Sequence, residues 1–208
     1  MTELYVQYGS AACAPLNWRN FDISPTLRLQ KLPVIAQLFR GEEYLSFPAN
    51  VEYGDIIRGL PISPSSCAGI YCSHVLEHMA LTDCRTALRN TYSYLEDNGL
   101  FRFVLPDLER LALDYVKSED PGAALVFMER TYLGIKTRQR GLKSLLRRHF
   151  GNSSHLWMWD FKAMMVELTD AGFRNVRRAV FGDSRDRHFD DVETQSRWEG
   201  CLGVECTK

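Results

Sequence analysis

The stretch "AGIYCSHVLEHM", residues 68–79, decides how the chain is read. Residues 68–73 form a short, mostly apolar run, and they read as a buried strand that passes directly into "HVLEHM". There His74, Glu77 and His78 fall in the order H-x-x-E-H. That is the spacing of an inverted zinc-peptidase signature, in which two histidines one helical turn apart hold a metal and the glutamate handles a proton. The zinc reading needs both histidines on one continuous helix and a further ligand from elsewhere. His74 follows the strand at once, so a half-formed first turn does not hold the pair at i, i+4, and no second helix offers an acidic ligand in a matching context. No metal ligand is assigned. Glu77 reads more simply as a first-turn carboxylate, favoured by about 0.3–1 kcal/mol at a helix N-terminus, or as the glutamate of a capping box that begins at His74.

On either side of this stretch, short apolar runs bounded by turn residues alternate with helix-length segments, the pattern of an α/β domain with a largely parallel sheet. "LYVQYG" (4–9), "WRNFDIS" (18–24), "VEYGDI" (51–56) and "GLFRFVLPD" (99–107) read as further strands. "DCRTALRNTYSYLEDNG" (83–99) reads as an amphipathic helix with Leu88, Tyr92 and Leu95 on one face, and "DFKAMMVELTDAGF" (160–173) as another. "VRRAVFG" (176–182) and "CLGVEC" (201–206) are expected to close the sheet as an antiparallel pair. Residues 108–154 break the alternation and read as a helical insertion over one end of the sheet. Within it, "TRQRGLKSLLRRHF" (137–150) carries Arg138, Arg140, Lys143, Arg147 and Arg148 without an acidic neighbour, which suits a solvated helix face or the recognition of an anionic acceptor.

The 208 residues are read as a single domain, with 45% apolar residues to build its core. With 25 basic and 26 acidic residues the formal charge is −1, so no global field favours nucleic acid or a membrane surface. No apolar run approaches the roughly 18 residues of a membrane span. The six cysteines include no C-x-x-C pair, and the expectation is reduced thiols in a cytoplasmic protein.

In a parallel α/β sheet, ligands bind outside the carboxyl ends of the strands. The residues there are Gly9 and Ser10, then Asp22, Asp55, and finally Ser73 and His74. The two aspartates suit a ligand's hydroxyl and amino groups, and equally suit turn capping. Taken together, "YGSAACAPLNWRNFDIS", "VEYGDIIRGLPISPSSCAGIYCSHVLEHM" and "NGLFRFVLPDLERLALDY" resemble the class I S-adenosylmethionine-dependent methyltransferases, in particular a bacterial branch with a SHVLEH-type segment after the fourth strand. The likeness covers about residues 4–115 and returns in "HLWMWDFKAMMVELTDAGF" and the tail.

That resemblance implies a Rossmann-like, seven-stranded, mostly parallel sheet with helices on both faces and the last strand antiparallel. S-adenosylmethionine would lie across the tips of the first four strands. Tyr8, Gly9, Ser10 and Ala11 would approach its methionine part, and Asp22 with Ile23 beside it the ribose. Asp55 and Ile56 would hold the adenine, and Ser73 and His74 would sit beneath the sulfonium. The acceptor would be a small molecule or glycan, with His74, His78, His149 or His155 as candidate bases and the insertion as a lid. The first loop departs from the family's glycine-rich form. Only Gly9 is present, and a positive φ at Ala11 would be strained. A second reading is therefore a catalytically degenerate binding or scaffold protein, and a third is a zinc hydrolase using His74, Glu77 and His78.

Overall fold

Alternation at period two builds the centre of the molecule. In β5 (Leu95–Pro106), Phe101, Phe103 and Leu105 face one side, while Leu100 and Val104 face the other. The computed structural model describes residues 3–30, 47–136 and 154–208. The other strands are β1 (Leu4–Tyr8), β2 (Arg19–Asp22), β3 (Val51–Tyr53), β4 (Cys67–Ser73), β6 (Arg174–Ala179) and β7 (Cys201–Thr207). They form one seven-stranded sheet in the order β3-β2-β1-β4-β5-β7-β6. β7 pairs antiparallel with both β5 and β6, and the pairs from β3 across to β5 are parallel. The order reverses between β1 and β4, and in parallel α/β sheets ligands bind outside the carboxyl ends of the strands at such a switch point.

The helices are α1 (Pro25–Gln30), α2 (Leu81–Tyr94), α3 (Leu108–Lys117), α4 (Ala123–Arg130), α5 (Phe161–Asp170) and α6 (Gln195–Trp198). Asp107 caps α3 by accepting from the amides of Glu109 and Arg110, and Asp160 caps α5 by accepting from that of Ala163. Cys84, Ala87 and Leu88 of α2 and Met164 and Leu168 of α5 cover one face of the sheet. The opposite face is covered by Trp18, by Phe189 and Val192 from the segment after β6, and by Trp198 of α6.

Two local expectations are corrected. Leu95, read as part of the helix face, is the first residue of β5, where it is buried and pairs with Cys67. Burial in the sheet outweighs its helical spacing. Glu77 lies in a separate 3-10 turn, Leu76–His78, which has no side-chain cap, and α2 begins only at Leu81. Residues 9–18 link β1 to β2 without a helix. Within the insertion, α3 and α4 are present, while the basic run and His149 lie outside the described residues. All six cysteines are free, and among the described residues no helix is long and apolar enough to cross a membrane.

Candidate functional site

The tips of β1 and β2 meet through their backbones. Gly9 adopts φ +70°, open to glycine at little cost, and a Cβ there would overlap Val75 Cγ2. Ala11 also takes a positive φ, +48°, and its amide donates to Asp22 Oδ2 at 3.0 Å. That bond holds the strained residue in place. Asp22 Oδ1 accepts from the Ser24 amide at 2.8 Å, so the carboxylate ties two loops together while each oxygen keeps a further acceptor position. Beside it Ser10 Oγ is buried without a hydrogen-bond partner, and Ile23 leaves 45% of its surface exposed. Asp55 Oδ1 accepts from the Ile57 amide at 2.9 Å, and its other oxygen lies 3.5 Å from Arg58. Ile56 packs in the core, as does the Tyr8 ring, so at both positions only backbone remains to face a ligand.

At the tip of β4 the polar groups are already engaged. Arg197 of α6 donates through Nε to Ser73 Oγ at 2.7 Å and through Nη2 to the Ser73 carbonyl at 2.9 Å. His74, at φ +54°, donates through Nε2 to the Arg197 carbonyl at 3.0 Å and faces Glu77 Oε1 through Nδ1 at 3.2 Å. Burial works against a charge on this ring, but the Cys201 thiol, the Glu77 carboxylate and the Arg197 carbonyl outweigh it and raise its pKa to about 10. His74 is therefore an imidazolium at neutral pH with no lone pair to take a proton. Nothing in "TQSRWEG" marked Arg197, because its contact with Ser73 spans 124 residues.

His74 and His78 do not form the pair that H-x-x-E-H suggested. His78 instead meets His155, their ring centroids 4.9 Å apart and nearly perpendicular. Glu77, His78 and His155 each present a possible ligand atom, and these atoms lie within 4.8 Å of one another. Glu77 is fully buried, and beyond the His74 contact on Oε1 its Oε2 has no hydrogen-bond partner among the described residues. Burial lowers the pKa of His155 below the ordinary imidazole value against the pull of Glu77, which keeps the ring neutral. Backbone bonds assemble the cluster. The Glu77 carbonyl accepts from the amides of Leu156 and Trp157 at 2.8 and 3.2 Å, and the His155 amide reaches the Tyr132 carbonyl at 3.4 Å.

No protein-family model matches the chain, and no curated protein matches its sequence. Solved structures do. A SAM-dependent methyltransferase from Archaeoglobus fulgidus aligns with a TM-score of 0.50 at 15% identity, over 99% of this chain and 86% of that one. A SAM-dependent methyltransferase from Thermotoga maritima aligns with a TM-score of 0.51 at 14% identity, over 99% and 82%. The fold is that of the class I methyltransferases. A chain in the complex of the Haloferax volcanii Trm112 methyltransferase activator with a methyltransferase aligns equally well, with a TM-score of 0.51 at 14% identity over 99% and 82%. At such identities the likeness carries the fold, and the chemistry must be argued from this chain's own residues.

Proposed function

We propose that the chain binds S-adenosylmethionine across the tips of β1, β2 and β4 and transfers its methyl group to a small-molecule or glycan-type acceptor. The observation that carries this reading is the convergence of Ser10 and Asp22 at the tips of β1 and β2, beside the switch point. A buried hydroxyl without a partner stands there beside a carboxylate with acceptor positions to spare. Both fit a ligand rich in amino and hydroxyl groups, and the exposed Ile23 side chain offers the apolar surface that a base stacks on. Gly9, Ser10 and Ala11 would follow the methionine part, Asp22 the ribose, and Asp55 with the backbone of Ile56 the adenine.

When bound, the cofactor supplies an electrophilic methyl on sulfur, so the chain mainly has to align the acceptor. Orientation of this kind supplies roughly 7–11 kcal/mol of barrier reduction. Ser73, held by Arg197, and the charged His74 position groups at the β4 tip. His78 and His155 are the imidazoles left to face an acceptor. The lid role of residues 108–154 is supported by Tyr132, whose ring lies 5.0 Å from that of His155. Tyr132 exposes an aromatic face beside that histidine, which suits a ring-shaped acceptor.

Calorimetric titration with S-adenosylmethionine tests the reading. Saturable binding is expected, weakened about tenfold or more in Asp22→Ala, since hydrogen bonds to a charged group contribute about 1.5–3 kcal/mol. Absence of binding to the folded wild-type chain at millimolar cofactor overturns it in favour of a scaffold that keeps the fold alone.

A further inference from the structure

The Glu77, His78 and His155 cluster lies one short turn past the β4 tip. We infer that Glu77, His78 and His155 form a binding site for a divalent first-row metal ion, zinc being the best match. Two imidazoles and one carboxylate are the donor set of open zinc sites, in which a fourth position is left for water or a substrate oxygen.

Three features beyond proximity point to a cation. The first is Glu77 itself, a fully buried carboxylate whose Oε2 has no hydrogen-bond partner among the described residues. His74 Nδ1 stands against Oε1 at 3.2 Å and leaves Oε2 unopposed among the described residues. The second is His78, whose Nδ1–H donates to the Ser154 carbonyl at 3.1 Å. A backbone carbonyl on one ring nitrogen fixes the tautomer and leaves Nε2 with its lone pair, the usual outer arrangement of a metal-bound histidine. The third is His155, buried, with Nδ1 lacking any partner. A lone buried imidazole is commonly satisfied by a backbone carbonyl, but here one possible ligand atom from each of three residues lies within 4.8 Å of the other two.

The site is also built to persist. Leu156 and Trp157 bond to the Glu77 carbonyl, and Ser154 bonds to the His78 ring, so the two chain segments that supply ligands are fastened to each other on both sides of His155. A span of 4.8 Å is wider than the roughly 3.4 Å between ligand atoms around an ion held at about 2.0–2.1 Å. His74 is then not a ligand but the group that orients Glu77. If the methyl-transfer reading holds, the ion's open position would receive an oxygen of the acceptor, and that clause rests on that reading while the metal site does not.

The test is zinc titration of the full chain after chelation, by calorimetry, with Co²⁺ substitution read by visible absorption. One ion per chain and the absorption of a low-coordinate Co²⁺ centre are expected. Glu77→Gln and His155→Gln should each weaken binding by roughly tenfold or more, with circular dichroism and melting confirming the fold of each variant. Two variants on separate segments keep the test alive where one of them fails to fold. No binding to the wild-type chain, or binding unchanged in a folded variant, overturns the inference. S-adenosylmethionine titration of the same samples separates the two readings, because a chain that binds zinc but no cofactor sinks only the methyl-transfer role.

Discussion

Replacing Arg102 with alanine should be among the most damaging single changes to this chain. Its guanidinium is fully buried, sits 4.6 Å from the Trp198 ring and bonds to Glu193, Asp183, Glu205 and the Val180 carbonyl. Arg177 contacts two of those carboxylates, Glu205 and Asp183, at 2.6 Å each, so both keep a cation after the substitution. Glu193 does not. Its side chain is 1% exposed, and its remaining bond comes from the Gly182 amide at 2.9 Å. One buried carboxylate is left without a counter-charge, a defect that costs about 3–5 kcal/mol. That is a large share of a total stability of roughly 5–15 kcal/mol.

With a urea dependence of about 2 kcal/mol/M, the unfolding midpoint of Arg102→Ala should fall by roughly 1.5–2.5 M. Replacing Arg102 and Glu193 together with apolar residues of similar size should recover much of the loss, because a buried pair is dearer to break than to replace. The consequence reaches the site, since Trp198 neighbours Arg197, which holds Ser73 and His74. A loss below about 1 kcal/mol, or a double variant as unstable as the single, would refute the reasoning.

Gly9→Ala forces a side chain into a positive φ and against Val75, and should cost about 1–3 kcal/mol by thermal melting. Adding Val75→Ala should relieve the packing part and leave the backbone strain. Acid should destabilise the chain through Asp183. Burial opposes its charge, but Arg177 and Arg102 outweigh burial and hold its pKa below the usual carboxylate range. Its contribution is therefore present above about pH 4 and lost as pH falls through the depressed native value. Urea midpoints measured across that window should fall less steeply in Asp183→Asn than in the parent.

The sequence by itself determined the strands and the residues at their tips. Runs such as 68–73 are mostly apolar and end at small or polar residues, so their burial is written locally, and Gly9, Asp22 and Ser73 follow as the positions where strands stop. That the last strand runs antiparallel followed from the family resemblance rather than from local burial, since β6 is largely polar. Tertiary structure decided everything that depends on residues distant in the chain. Spacing made His74 and His78 look like partners, but a 3-10 turn and a positive φ at His74 turned one ring toward Arg197 and the other toward His155. The cover of the second sheet face by Phe189, Val192 and Trp198 had no local signal either. Hydrophobic periodicity records which side chains are buried, because burial acts on each residue in turn. It does not record which buried polar groups meet, because that is fixed only when the strands are laid side by side and the segments between β6 and β7 fold back over them.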